Sequence, residues 1–196
     1  MPIRPSPSAL PRPVAPGPSR IAVVGMGNVL TGDDALGPTV VRWLDALFEM
    51  PPGVEVVDAG TPGMDLAGLL ADVDAAIVVD AFSSDREPGS LETFDRETLL
   101  SRPLQPRTNP HAPGLAETLL SLEFAGLGPG PVLLVGVVPR QVDVGEPLSA
   151  PVAAAIPRVL DTVCAALTRW GAPPAPRTHP SAPDLWWQRS PALAPP

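Results

Sequence analysis

The run at residues 21–37, IAVVGMGNVLTGDDALG, constrains the fold more than any other part of the chain. Four apolar residues ending at Gly25 have the length and type of a buried parallel strand, and the Gly25-Met26-Gly27-Asn28 turn lets the backbone reverse tightly. Asp33 and Asp34 then stand where a helix begins. Such a strand, turn and helix place acid side chains at the carboxyl end of the first strand, the edge where open α/β sheets hold their ligands.

Helix and strand patterns alternate after this unit. Residues 34–50 carry Leu36, Val40, Val41, Leu44, Leu47 and Phe48 at helical spacing, and Pro38 is tolerable in the first turn. Residues 54–58 read as a short strand, 64–71 as a short helix, and 75–80 (AAIVVD) as a buried strand ending in a carboxylate. Residues 91–95 (LETFD) alternate as an edge strand with one wet face does. A proline-rich loop at 102–114 leads into a helix at 115–124, a buried strand at 131–138 and a last helix at 150–169 with a kink expected at Pro157. The predicted fold is a three-layer α/β sandwich: a twisted, mostly parallel sheet of about five strands with helices on both faces.

Half of the 30 prolines fall in residues 1–19 and 171–196, where no hydrophobic period is visible. The chain therefore reads as a disordered tail at 1–19, a single domain at 20–171 and a second disordered tail at 172–196. Trp186 and Trp187 in that tail are expected to dock on nothing lastingly. A net charge of −8 with no lysine argues against nucleic acid as a partner. No stretch reads as long and apolar enough to span a bilayer, and no apolar signal-peptide core is visible, so a cytoplasmic protein that binds no membrane is expected. One cysteine excludes a disulfide framework and a cysteine-based zinc site, leaving carboxylate and imidazole as metal ligands.

The glycine turn invites comparison with a dinucleotide cradle, but Leu30 holds the place of the third glycine and Asp33 and Asp34 fill the helix mouth. Each carboxylate about 4 Å from a phosphate costs on the order of 1 to 4 kcal/mol, which opposes nucleotide binding. One acid suffices to cap the helix and complement its dipole, a role assigned to Asp33. Asp34 is then free to face Asp80, whose place at the tip of so apolar a strand is hard to explain unless that end is wet or holds a cation. Gathered carboxylates raise one another's pKa, and a divalent cation relieves the repulsion. His111 reads either as a plain loop residue at a helix entry or, if that helix starts at the same sheet edge, as a third ligand leaving open coordination positions. Cys164 reads as core, His179 as irrelevant tail, and Ser83 and Ser84 lack a histidine placed to make a charge relay.

Taken in order, Gly25-Met26-Gly27-Asn28 with Asp33-Asp34, Asp58-Ala59-Gly60-Thr61-Pro62-Gly63-Met64, Val78-Val79-Asp80-Ala81, Pro110-His111 with Gly114-Leu115, and Gly136-Val137-Val138-Pro139 resemble the hydrogenase maturation endopeptidases. The resemblance covers nearly the whole body, with Ala35-Leu36 and Ala59 standing where many members have glycine. It implies an endopeptidase, a hydrolase that removes a short C-terminal extension from the precursor of the nickel-iron hydrogenase large subunit after metal insertion. It further implies that Asp34, Asp80 and His111 bind the metal, that this metal is nickel carried by the substrate, and that Gly60 and Thr61 position substrate with Asp58 in support. The isolated protein, expected to be a monomer, would then be empty or hold another divalent cation. The alternative is a sensor of the metal centre on the same fold that cuts nothing, with a nucleotide-binding module third.

Overall fold

Residues 19–101 and 114–188 are described by the structure, a computed structural model. Strand β1 (Ile21–Met26) opens the chain, a 3-10 turn (Gly32–Ala35) follows the glycine loop, and helix α1 (Leu36–Leu47) begins directly from it. Next come β2 (Phe48–Glu49), β3 (Val54–Gly60), a 3-10 turn (Gly63–Asp65), α2 (Leu66–Leu70), β4 (Ala75–Ala81), β5 (Leu91–Asp95) and α3 (Arg96–Ser101). After residue 114 the chain forms α4 (Leu115–Phe124), β6 (Val132–Val137), α5 (Ala150–Arg169), β7 (Ala175–Pro176) and a 3-10 turn (Trp186–Gln188).

Five strands make one sheet in the order β3-β1-β4-β6-β5. Four run parallel, and β5 pairs antiparallel with β6 at the edge, where its alternating pattern belongs. The central strands β1 and β4 are apolar on both faces because both faces are covered. Ile21, Val23, Ala75, Ile77 and Val79 join one core cluster with α1 and α5, whereas Ala22, Val24 and Ala76 join a second cluster with α2, α3 and α4. Side chains of period two thus feed two cores, and the molecule is the expected three-layer sandwich.

Two helices depart from their sequence reading in detail. The first begins two residues later than its acids suggest, because 32–35 wind as a 3-10 turn before α1. α5 matches its expected span and continues through Pro157. By length and composition α5 alone, among the described residues, could cross a bilayer, contrary to the sequence reading. Its stripe of Val152, Ala155, Ile156, Val159, Leu160, Val163, Ala166 and Leu167 is instead buried against the sheet and α1, the place of a core helix.

Residues 172–188 are not a separate tail. β7 pairs antiparallel with β2, the Arg177 amide donates to the Leu47 carbonyl (2.8 Å), and the Ser181 amide donates to the Ala46 carbonyl (3.2 Å). The Arg177 side chain donates from Nε to the Asp45 carbonyl at 2.8 Å. The segment therefore returns along α1 from its C-terminal end. Proline-rich composition gave no period because an extended segment has no internal hydrogen bonds, and only its docking partners define it. Residues 1–18 and 189–196 lie outside the described residues.

Candidate active site

The carboxyl edge of β1 and β4 carries the acids that the sequence singles out. Gly25 of β1 is in register with Val79 of β4, so Asp80 and the glycine loop reach the same edge side by side. That loop closes on itself. The Asn28 amide donates to Asp34 Oδ2 at 2.7 Å, the Leu30 amide donates to Asn28 Oδ1 at 3.0 Å, and the Asp34 amide donates to the Thr31 carbonyl at 3.1 Å. Gly27 makes this possible: with φ +130 it sits where a β-carbon would overlap the Asp34 carbonyl. Gly37 fulfils a second steric need, since a β-carbon there would strike the backbone of both Met26 and Val79 and lift α1 off the sheet edge.

Asp34 is thus held on one oxygen, and no hydrogen bond from the described residues reaches Oδ1. Asp80 is pushed up to about 8, first by burial and second by the charge of Asp34, with the Ala81 amide opposing. At neutral pH the pair holds a proton in place of one of its charges. A cation bound there would displace that proton. Among the described residues no third metal-ligating side chain joins the two acids. His111, the expected third member, lies outside the described residues.

Asp33 does something other than the expected capping. It is fully buried, and no side chain caps the turn or α1. Its carboxylate reaches across to the β6–α5 connection, accepting from the amides of Arg140 (2.7 Å), Gln141 (3.0 Å) and Ser149 (2.6 Å) and from Ser149 Oγ (2.8 Å). Ser149 is the N-cap residue of α5, so the acid complements the start of that helix rather than its own. Four donors compensate the burial of the charge. Adjacent acids have therefore divided their work: Asp33 ties loops together and Asp34 faces Asp80.

On the β3 side, the Gly27 amide donates to the Gly60 carbonyl at 2.7 Å, fastening the glycine loop to the segment at Gly60 and Thr61. Asp58 Oδ1 accepts from the Gly60 amide at 3.2 Å, while Oδ2 pairs with Arg42 at 3.1 Å. Arg42 is the residue that sequence reasoning missed; its signal was a lone base on the largely apolar helix α1, two turns beyond Asp34. These groups line a cleft of about 480 Å³ together with Asn28, whose amide holds Asp34, and Trp186 from the returning C-terminal segment.

Other nucleophiles are placed for structural work. Ser84 Oγ donates to Glu92 at 2.8 Å, and the half-buried Cys164 thiol is pushed up by burial and by Asp161.

Comparison with known proteins bears on the family of the chain. The model of the hydrogenase maturation protease family HycI matches residues 38–166. The hydrogenase 2 maturation protease of Escherichia coli K12 is 36% identical over 159 residues, 81% of this chain and 96% of that protein. The hydrogenase expression/formation protein HupD of Rhizobium leguminosarum bv. viciae is 32% identical over 164 residues, 83% of this chain and 81% of that protein. Among solved structures, the hydrogenase maturating endopeptidase HybD from E. coli superposes with a TM-score of 0.73 at 35% identity, covering 81% of this chain and 98% of that chain.

Proposed function

Because the chain belongs to the hydrogenase maturation protease family, we propose that it removes the C-terminal extension of a nickel-iron hydrogenase large-subunit precursor after metal insertion, recognising the bound nickel through Asp34, Asp80 and His111. The observation that carries this reading is the meeting of two carboxylates at one sheet edge, one of them held protonated by burial and by its neighbour's charge. An arrangement that costs stability in the free protein gains when a cation arrives.

The topology supports His111 as the third ligand. The Asp72 amide, just ahead of β4, donates to the Leu127 carbonyl, so α4 ends at the amino edge of the sheet. Its ten residues span about 15 Å, which starts it at the opposite edge, four residues after His111. Asp80 also shares the parity of Ala76, which packs into the cluster containing α4.

In this reading the nickel belongs to the substrate, and the isolated protein is empty or takes another divalent cation at the same acids. Bound metal supplies Lewis acidity toward the scissile carbonyl or an attacking water. The protein's part is to hold Asp34 through the Asn28 amide and to present Asp80 with a pKa suited to taking and returning a proton near neutrality. Gly60 and Thr61, steadied by Asp58 and Arg42, position the peptide. The enzyme acts as a monomer in the cytoplasm.

The test is to incubate the purified protein with nickel-loaded and nickel-free precursor and follow precursor mass. Loss of mass in the loaded sample alone is expected, with processing abolished in Asp80→Asn and His111→Ala. Full activity in either variant removes that residue from the site, and tight binding without mass loss identifies a sensor instead.

A further inference from the structure

We propose that the returning C-terminal segment makes Trp186 the outer wall of the substrate cleft, selecting a precursor that places an apolar side chain against the indole beside the scissile bond. This rests on the reading above, in which the cleft at Gly60 and Thr61 receives the peptide. Trp186 lines that cleft together with Asn28, Arg42, Asp58, Gly60 and Thr61. Asn28 connects the cleft directly to the acids, because its amide holds Asp34.

Trp186 is held there by its neighbours rather than by its own burial. Residues 175–181 are fixed to the C-terminal end of α1 by β7, Arg177 and Ser181. Trp187 and Leu185, both half-buried, line one side of a cavity of about 500 Å³ whose other walls include Trp43, Leu148 and Ile156. The two indoles meet edge to face, with centroids 5.7 Å apart and planes at 88°. Trp187 is half-buried and braces Trp186, which remains 54% exposed at the cleft. A partly exposed indole held beside polar groups gains by covering its remaining surface with an apolar partner. Arg42 and Asp58 neutralise each other, so the cleft carries no unmatched charge toward a ligand at that point. The segment also lies beyond the residues matched by the family model, which end at 166.

The test compares the full-length protein with Trp186→Ala, Trp186→Phe and Trp187→Ala, using nickel-loaded precursor. Processing is followed by mass, precursor affinity by titration, and seating of the segment by hydrogen exchange at the Arg177 and Ser181 amides. Trp186→Ala is expected to raise KM and Kd about tenfold with kcat little changed and exchange unchanged, the scale seen when an aromatic anchor is truncated at an interface. Trp186→Phe should retain most of the affinity. Trp187→Ala should speed exchange and weaken binding together. An unchanged KM and Kd in Trp186→Ala overturns the proposal. So does faster processing, which would make the segment a plug. If the wild-type protein binds the precursor without cutting it, the protease reading fails while Kd still judges Trp186; if it neither binds nor cuts, both fail.

Discussion

At Asp80 one side chain shows how a site can be read from its cost. The carboxyl sits at about 8 in the folded protein, against about 3.9 for an exposed aspartate. Between those values the folded chain keeps a proton that the unfolded chain has lost, so stability is fullest below about pH 4, falls as pH rises, and has lost this contribution above about pH 8. Each unit within that window removes about 1.4 kcal/mol. Asp80→Asn has no charge to bury. In chelator-treated protein its melting temperature should match wild type near pH 4, exceed it increasingly up to about pH 8, and keep a constant lead above that. Parallel melting curves for the two proteins across that range would remove Asp80 from the coupled pair. The position of Asp80 at the end of AAIVVD was legible in the sequence, because an apolar strand tipped by an acid has few structural explanations. The work of Asp33 was not: its partners Arg140, Gln141 and Ser149 are more than a hundred residues away, and local capping rules do not see them.

Among elements, the 3-10 turn at Gly32–Ala35 is where the site and the scaffold meet. Its two acids join β4's edge on one side and the start of α5 on the other. The same turn is clasped to the β6–α5 connection by the Gly32 amide on the Glu146 carbonyl (3.1 Å) and the Asp33 amide on the Gln141 carbonyl (2.9 Å). Asp33→Asn would set an amide NH2 against a group of N–H donors. Leaving such buried donors unpaired costs about 3 kcal/mol or more. Denaturant titration should show a loss of that size, and exchange at the Arg140 and Ser149 amides should rise by more than exchange in β1. A loss confined to a few tenths would mean that the connection is held by its apolar packing instead. The strands and long helices were legible because two covered sheet faces demand apolar runs, and a helix buried on one side demands its stripe. β2 and β7 were not, since each has two residues and exists only by pairing with the other.

Across the whole molecule, the two cores and the returning segment are different kinds of structure. Every buried residue of both clusters falls between Ile21 and Leu167, and Ala172 is the last residue packed against either. Beyond it, the chain to residue 188 is held by the short β2–β7 ladder, a few hydrogen bonds at the end of α1 and the half-burial of Leu185 and Trp187. Composition misjudged the second of these parts, because proline-rich chain reads alike whether it is solvated or laid along a helix. Stability should therefore come in two steps. Amides of β1 and β4 should exchange only by global unfolding, whereas those of Arg177 and Ser181 should exchange through a local opening at much lower free energy. Ending the chain after Ala172 should leave a folded body with a single cooperative transition and the same pH dependence from Asp80, melting only modestly earlier. Should that shortened chain lose its transition altogether, the segment would be part of the core, and the place of Trp186 at the cleft would be a consequence of folding rather than an addition to a finished frame.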